Sequence, residues 1–570
     1  MNKQTVQLLE HHFDTAFAAP DGIKKLRELI LALAMQGKLL AQDPHDQPAW
    51  ELLKEIGAEK QRLVKAGKIK MPKPLPEIKP EEAPHELPKG WEWVRLGRIG
   101  EINPRNVLDD DKEAGFVPMP LISAKYGEPH KFEHRQWAEI KKGYTHFADE
   151  DVALAKITPC FENGKSCVFR ELPNGIGAGT TELHIFRNTF GVICPEYLLA
   201  YLKNPRYIAS GIQKMTGSAG QKRVPTDFFA QNPFPLPPLA EQHRIVAKIA
   251  QLMTLCDELE KLRAEREQKR LTVHTAALKQ LLDETVKPSF APSRLRVNNF
   301  FPQHFNELYS VKENVAELRK AILQLAVMGK LVPQDPQDQP ASELLQEIGV
   351  EKKRLVNEEG LRTEANEKIE KNEEYLGRPV GWEYCRLGNL AKFIDYRGRT
   401  PKKVDSGIPL ITAKNVRFGF INRDPYEYVT EEEYECWMTR GFPKPGDLLF
   451  TTEAPLGNIA VIDIQERFAL AQRVICLQLH KSDMAFFLKW LIMSGIFQSQ
   501  LLNNATGMTA TGIKASRLKE IPIPIPPLHE QRRIVAKIDQ LMALCDELEK
   551  QIDAATGKQT ALLNAVMAQV

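Results

Sequence analysis

Three short segments of the sequence contain residue types that bind nucleotides or catalyse reactions in other proteins. Residues 162–167, ENGKSC, end like a phosphate-binding loop, but Pro159 stands where that loop needs its first glycine. Residues 174–182, NGIGAGTTE, are glycine-rich like an S-adenosylmethionine loop, but no acidic ribose partner follows at the usual distance. The Glu-Ile-Lys of residues 77–79 has nuclease spacing but lies in a proline-rich connector. We interpret all three as structural segments.

A free-standing modification enzyme or nuclease would need a complete catalytic motif. The tetrad Asn-Pro-Pro-Tyr/Phe of amino-methylating enzymes does not occur, and NPFP at residues 232–235 is only similar to it. No paired carboxylates or nucleophile–base triad can be assembled from the sequence. The eight cysteines include no CxxC pair, which argues against a zinc ribbon. We therefore predict a chain that is not an enzyme and holds no metal.

Two basic segments could bind nucleic acid instead. Residues 386–425 hold nine Lys or Arg against three Asp, next to Tyr396 and Phe418, and residues 206–224 hold four Lys or Arg and no acid. Such clusters neutralise phosphates, and Arg, Lys, Asn and Gln also form contacts to base edges. An isolated basic segment is more often a solvated loop. Here both lie in the divergent parts of a duplicated chain, which favours DNA.

The duplication runs through the whole chain at an offset near 290 residues. The PPLxEQxxIV segments are identical at 21 of 25 positions, and the longest N-terminal pair at 16 of 24. Between these matches, the two halves share little, so two related frames hold two divergent inserts. The matching pairs are residues 26–49 with 318–341, 89–97 with 380–388, 120–125 with 409–414, and 237–261 with 526–550.

The frames read as helices and the inserts as strands. After Pro238, apolar residues recur every three or four positions, which predicts a coiled-coil-like helix. Gly37 and Gly329 are expected to end helices as C-caps. Residues 446–452, 458–463 and 474–480 are short apolar runs between turn residues, which is typical of strands.

The predicted fold class is α+β, with two α/β domains separated by long coiled-coil-like helices and an internal pseudo-two-fold duplication. The expected segments are an N-terminal helical frame with a proline-rich connector, a first α/β domain, a central helix, a linker with the second frame, a second α/β domain and a C-terminal helix. Their bounds are 1–90, 91–236, 237–284, 285–380, 381–525 and 526–570.

Composition places the chain among ordinary globular proteins. It is 43% hydrophobic and 26% charged, with a formal net charge of +3 that says little by itself. No run of 18 apolar residues occurs, and the N-terminus lacks the apolar stretch of a signal peptide. We expect a cytoplasmic protein with several domains and no membrane segment.

The repeated segments resemble a known family. PPLAEQHRIV and PPLHEQRRIV, the preceding GWEWVRLG and GWEYCRLG, and the Thr-Gly segments at residues 216–217 and 506–507 are similar to those of type I restriction–modification specificity (S) subunits. The resemblance covers nearly all 570 residues, and the duplicated N-terminal frame is similar to that of the larger variety of this family.

The resemblance implies a DNA-recognition subunit. The two α/β domains would be target recognition domains, each binding one half of a split double-stranded DNA site. The long helices, which are conserved in the family, would set the gap between the halves. Two methyltransferase subunits and two motor-nuclease subunits would be the partners. S-adenosylmethionine, ATP and Mg would be bound by those partners and none by this chain. The alternatives are a coiled-coil scaffold that binds no DNA and an inactive or orphan specificity subunit.

The resemblance also suggests site residues. In the first half, the predicted DNA-binding residues are Arg105, Lys125, Tyr126, Thr216, Gln221, Lys222 and Arg223. In the second half they are Arg397, Arg399, Thr400, Lys402, Lys414, Asn415, Arg417, Thr509, Thr511 and Lys514. The first half has no equivalent of the RGRTP turn at residues 397–401. The predicted coiled-coil and partner residues are Ile245, Ile249, Leu252, Leu259, Ile534, Ile538, Leu541 and Leu548.

Overall fold

A computed structural model forms two compact units. It describes residues 3–65, 75–218, 220–282, 301–359, 369–396, 401–424, 426–506 and 511–568. The first unit is Met1–Arg266 with Ala555–Val570, and the second is Glu267–Ala554. Both boundaries fall inside long helices rather than in linkers, a division that the sequence did not suggest. The six predicted segment bounds stay predictions.

The first unit combines a helical frame with two four-stranded sheets. One sheet has the order β2-β9-β6-β7, the other the order β4-β3-β8-β5, and β1 pairs with β10 as an antiparallel ribbon. The helices are α1 (Lys3–Phe17), α2 (Gly22–Met35), α3 (Ala49–Lys65), α4 (Leu96–Ile99), α5 (Trp137–Ile140), α6 (Pro195–Leu202), α7 (Pro205–Lys214), α8 (Thr226–Gln231) and α9 (Leu239–Leu282). The strands are β1 (Glu92–Arg95), β2 (Glu101–Ile102), β3 (Glu113–Val117), β4 (Glu133–Gln136), β5 (Thr145–Ala148), β6 (Val152–Ala155), β7 (Ser166–Val168), β8 (Ile176–Gly179), β9 (Leu183–Arg187) and β10 (Pro233–Leu236).

The second unit repeats this plan with different strands. Its sheets have the orders β12-β18-β15-β16 and β14-β13-β17, and β11 pairs with β19. Residues 301–308 are helical, and the numbered helices are α10 (Lys312–Val327), α11 (Ala341–Glu359), α12 (Glu431–Trp437), α13 (Ala485–Met493), α14 (Gly495–Asn503), α15 (Ala515–Glu520) and α16 (Leu528–Ala568). The strands are β11 (Glu383–Arg386), β12 (Ala391–Asp395), β13 (Ile408–Ile411), β14 (Glu427–Val429), β15 (Leu448–Thr451), β16 (Ile459–Val461), β17 (Ala469–Leu470), β18 (Val474–Leu479) and β19 (Pro522–Ile525).

The repeated PPLxEQxxIV segment forms the first turns of α9, where it binds the frame of the first unit. Glu241 accepts hydrogen bonds from the buried Trp91 indole at 2.9 Å and from the Gln42 amide at 3.3 Å. One turn later, Arg244 forms an ion pair with Asp46 at 2.5 Å. We call this set of contacts the frame joint of the first unit.

The second unit builds the same frame joint at the start of α16. Glu530 accepts hydrogen bonds from the Trp382 indole at 3.1 Å and from Gln334 at 3.3 Å, and Arg533 pairs with Asp338 at 2.5 Å. Every partner in the joint belongs to a repeated sequence segment. The repeated segments therefore meet in one contact, which each half of the chain builds for itself.

The sequence-predicted helix ends are confirmed. Gly37 follows α2 with φ +64°, and the next amide, of Lys38, bonds back to Leu33 O at 2.9 Å. Gly329 follows α10 with φ +66°, and Lys330 N bonds to Leu325 O at 2.8 Å. A residue in the left-handed region followed by this six-residue hydrogen bond is the Schellman ending, which favours glycine because it has no Cβ.

The inserts contain the predicted strands, and the glycine-rich segment is one of them. The three apolar runs of the second insert contain β15, β16 and β18, as expected. Residues 176–179 of NGIGAGTTE form β8, between β3 and β5. A Cβ on Gly177 would lie 2.4 Å from the Phe147 ring, and one on Gly179 would lie 2.3 Å from Val117 O. These glycines therefore permit close packing in a sheet.

The apolar stripe of the long helices is used mainly inside each unit. Four residues predicted for the coiled coil or a partner are at most 1% exposed in the core of their own unit, namely Ile245, Ile249, Ile534 and Ile538. Their burial leaves no surface for a partner contact, and their coiled-coil role stays a prediction. Leu252, Leu541 and Leu548 are partly buried against the same cores. Leu259 is 47% exposed and stays a candidate for a partner contact.

Within the described residues, no single helix is long and apolar enough to span a membrane. Residues 482–493 and 495–503 meet the length and composition criteria only together, as a pair bent by 73°. Phe487, Leu491 and Phe497 of this pair are buried in the core of the second unit.

Candidate nucleic-acid interface

In the first unit, hydrogen bonds join four loops, which follow β3, β6, β8 and α7. Thr158 donates to Lys222 O from its amide at 3.0 Å and from its hydroxyl at 3.1 Å. Lys156 N donates to Glu182 O at 2.9 Å, and Lys165 Nζ donates to Met119 O at 3.1 Å. We call these loops, residues 119–125, 156–165, 180–182 and 216–223 without residue 219, the first loop cluster.

The predicted residues of the Thr-Gly loop lie together in this cluster. Thr216 and Arg223 pair as an antiparallel bridge, and Thr216, Gln221 and Lys222 are exposed. Arg223 is held by Glu182 in an ion pair of 2.8 Å, and hydrogen bonding to Arg223 is the main cause that lowers the pKa of Glu182. The loop therefore exposes Gln221 and Lys222 to a ligand, while the Arg223–Glu182 ion pair holds the end of the loop in place.

The other predicted residues of the first unit occupy different environments. Lys125 is exposed in the first loop cluster and pairs with Asp257 at 3.1 Å. Arg105 is exposed, and its guanidinium donates to Tyr144 O at 3.2 Å, next to the first residue of β5. Tyr126 is half-buried against the core, and burial raises the pKa of its phenol. Its ring is therefore a packing group more than a free stacking surface.

The second unit has an equivalent cluster with its own bonds. Thr452 N donates to Arg473 O at 3.0 Å, and Ile513 N donates to Thr452 O at 3.0 Å. Gly419 N donates to Ile459 O at 2.8 Å. Gly512 bridges to both Glu453 and Thr506, as Arg223 bridges to Ile157 and Thr216 in the first unit. We call residues 411–421, 451–459, 471–473, 506 and 511–512 the second loop cluster.

Most predicted cations of the second unit are exposed. Lys414, Arg417, Thr511 and Lys514 reach solvent at or next to the second loop cluster, and the three cations make no ion pair with any described residue. Lys402 is exposed, and its amide donates to Glu433 at 3.2 Å. The predicted residues that fall outside the described part of the chain are Arg397, Arg399, Thr400 and Thr509.

Asn415 has a different role from the one predicted. Its side chain is 2% exposed and accepts hydrogen bonds from the Thr412 amide at 3.0 Å and the Thr412 hydroxyl at 2.8 Å. Its amide group donates to Asn422 O at 3.1 Å. The residue closes the loop that carries Lys414 and Arg417, and it is not available to bases in this conformation.

The structure adds residues that the sequence did not single out. Glu182 and Glu453 each bind a loop arginine, Arg223 at 2.8 Å and Arg473 at 2.5 Å. Phe420 is 60% exposed and lies next to Arg417 in the second loop cluster. In the sequence, Phe420 is an apolar residue between Gly419 and a strand-like run. That pattern fits a buried side chain equally well.

The two loop clusters are better suited to binding nucleic-acid phosphates and base edges than to catalysis. Exposed Lys, Arg, Gln and Thr side chains surround paired loops, and an exposed aromatic ring stands beside them. Among the described residues, no group of three His, Cys, Asp or Glu side chains is placed to hold a metal ion.

Comparison with known proteins identifies the family. The model of the type I restriction modification DNA specificity domain matches twice, at residues 88–267 and 379–555. The chain belongs to this specificity family. Each match starts just before the tryptophan of a frame joint and ends within a long helix, so the family unit includes the loop cluster and both strands of the antiparallel ribbon.

Relatives in the specificity family cover almost the whole chain. The EcoAI specificity subunit of Escherichia coli is 42% identical over 560 residues, 96% of this chain and 93% of that protein. The EcoEI specificity subunit of Escherichia coli is 39% identical over 562 residues, with the same two coverages. The family, the α+β class and the duplication predicted from the sequence are confirmed.

Solved structures of the family are more distant. The crystal structure of the HsdS subunit from Thermoanaerobacter tengcongensis covers 85% of this chain and 98% of its own, with 21% identity and a TM-score of 0.43. A structure of a type I R-M system complex covers 85% and 99%, with 19% identity and a TM-score of 0.46.

Proposed function

We propose that this chain is the DNA-specificity subunit of a type I restriction–modification complex. Each loop cluster binds one half of a bipartite double-stranded DNA site. The observation that carries this proposal is that the two units contain equivalent loop clusters with different exposed residues, whereas their frame joints are alike. One scaffold presented twice, with unlike surfaces, suits the reading of two unlike sequences.

The chain itself catalyses no step in this proposal. Two methyltransferase subunits and two motor-nuclease subunits supply adenine methylation and ATP-dependent cleavage, with S-adenosylmethionine, ATP and Mg bound to them. The relatives named as specificity subunits support this division of labour. The cytoplasm, where DNA and these partners meet, is the compartment we propose.

The residues proposed to reach DNA are the exposed ones of the two clusters. Gln221 and Lys222 serve the first half-site, and Lys414, Arg417 and Lys514 serve the second. Phosphate contacts by the lysines place the protein on the duplex, whereas Arg417 can form bidentate bonds to a guanine edge. Arg223 and Asn415 form hydrogen bonds that hold the loops carrying these side chains.

A genome-wide map of N6-methyladenine tests the function directly. Cells that carry this gene with its methyltransferase partner should show a split methylated motif, and deletion of this gene should remove it. Binding of the purified complex to that motif should weaken steeply as salt rises, because phosphate neutralisation releases counterions. Unchanged methylation together with salt-independent or absent DNA binding would support the scaffold alternative.

A further inference from the structure

Lys203 is a buried cation that binds three backbone carbonyls. It is the C-cap residue after α6 and is 7% exposed. Its Nζ donates to Ser123 O at 3.2 Å, to Ala124 O at 2.9 Å and to Gly164 O at 2.9 Å. An ammonium has three N–H groups, so every donor is used.

These three carbonyls belong to two different loops of the first loop cluster. Ser123 and Ala124 directly precede Lys125, and Gly164 directly precedes Lys165. Both loops are 39 to 80 residues away in sequence from Lys203, so the ammonium is a long-range tie between them. A buried charge costs free energy unless it is paired or hydrogen-bonded, so the carbonyls and the ammonium hold one another in place.

The second unit has neutral side chains at the equivalent place. Asn204 caps α7 and Ser494 caps α14, so the residues before them, Lys203 and Met493, are equivalent. Met493 packs against the core of the second unit, and its Cε lies 3.1 Å from where a Cβ on Gly419 would be. The neutral amide of Gln498 donates to Gly457 O at 3.0 Å and to Ile492 O at 2.7 Å, and neither acceptor belongs to residues 411–421.

We propose that Lys203 is a positioning residue for recognition of the first half-site. Its ammonium joins the loop that carries Lys125 to the loop of residues 156–165, and Thr158 of that loop binds the Thr-Gly loop at Lys222 O. This role rests on the proposed function. Lys203 does not touch DNA itself. Since the second unit uses neutral groups at this place, loss of the charge affects only one half of the bipartite site.

The tie is also expected to respond to pH. Burial lowers the pKa of Lys203 to about 8, although two groups facing it, Cys167 and Glu128, oppose that change. Burial raises the pKa of the Cys167 thiol to about 12, so Glu128 is the negative neighbour at neutral pH. The charged, three-donor form of Lys203 is present below its folded pKa and is lost as the pH rises through about 8.

The test compares Lys203→Met with wild type in the complex with the methyltransferase partner. Affinities are measured for the methylated motif and for single base-pair changes in each half. Lys203→Met should reduce the penalty for wrong bases in one half roughly tenfold, leave the other half unchanged and keep the salt dependence. Lys54→Met, at an exposed lysine of α3 that lies outside both basic segments and makes no ion pair with a described residue, is the control for loss of charge alone. It should leave discrimination intact.

The wild-type pH profile gives a second readout that needs no variant. Between about pH 7 and pH 9, discrimination in the first half-site should fall while that in the second stays level. Equal penalties in Lys203→Met and wild type, or parallel pH profiles for the two halves, would overturn the positioning role while the proposed function stands. A wild-type complex that discriminates in neither half would overturn the proposed function itself.

Discussion

Each unit contains a frame joint and a loop cluster. The frame joints are alike in the two units, whereas the loop clusters differ. The frame joints use the same residue types in both units: a tryptophan and a glutamine on a glutamate, and an arginine on an aspartate. The loop clusters share backbone bridges and a glutamate–arginine pair, but most of their exposed side chains differ. The groups next to the clusters also differ, as Lys203 and Met493 show.

The difference follows from which atoms make the bonds. A frame joint is made of side-chain to side-chain bonds, so a change in one residue leaves a buried partner unsatisfied, which costs about 1–3 kcal/mol. The loops are joined mainly through backbone amides and carbonyls, which every residue except proline supplies. Their side chains can therefore diverge without loss of the fold, which suits loops that read different sequences.

The largest expected effect is at the buried helix positions behind the frame joints. Ile249 and Ile538 are equivalent and 0% exposed. Ile249→Ala and Ile538→Ala should each lower the free energy of unfolding by about 2–5 kcal/mol, because each leaves a cavity in a packed core. Hydrogen exchange that resolves the two units measures the loss in each.

If the frames are equivalent, the two losses match and each stays in its own unit. Each variant should reduce DNA binding without changing which bases are preferred in either half-site. If Ile249→Ala or Ile538→Ala changed base discrimination in one half-site alone, the division between frames that stabilise the fold and loop clusters that bind DNA would be wrong.

At the loop clusters the expected loss is in binding, not in folding. Arg417→Ala should cost about 1–3 kcal/mol of discrimination at one base pair of the second half-site, because bidentate base contacts are lost. The melting temperature should stay unchanged, since Arg417 makes no ion pair with a described residue. Lys222→Ala is the matched change in the first unit. It should weaken binding to all sequences and reduce the salt slope by about 1.

The frame carboxylates should respond to pH in parallel. Burial raises the pKa of Glu241 and of Glu530 above the ordinary 4.5. A raised carboxyl pKa gives stability that is present below the unfolded pKa and lost as the pH rises through the folded one. The loss is about 1.4 kcal/mol for each tenfold difference between the acid dissociation constants of the folded and unfolded chain. Thermal unfolding between about pH 4 and pH 7 should show this loss in wild type and a flatter profile in Glu241→Gln and Glu530→Gln.

A pH response in one unit only would separate the two frame joints. The glutamine variants keep an oxygen for the Trp91 and Trp382 indoles, so the indole hydrogen bonds are the built-in control. Indole fluorescence reports on them.

The frames could be predicted from the sequence because their signals are local and repeated. Helical periodicity, the glycines after α2 and α10 and the apolar runs of β15, β16 and β18 are each visible within a few residues. Side chains in the loops could not be placed in this way. Lys203, after an apolar helix, reads as a surface cap, yet its acceptors lie up to 80 residues away. Asn415 reads as a polar surface residue, yet it is buried by its own turn.

The smallest expected effect concerns the ion pairs that hold the loop arginines. Arg223–Glu182 and Arg473–Glu453 are partly exposed and therefore contribute little to folding. Glu182→Gln and Glu453→Gln should leave the melting temperature of either unit unchanged, because the backbone bridges at Arg223 and Gly512 remain. Each variant frees one arginine in one cluster, so binding to a single half-site should become less selective and more salt-dependent. Competition binding with each half-site scrambled in turn measures this. An equal change at both half-sites would show that the two clusters do not read DNA independently.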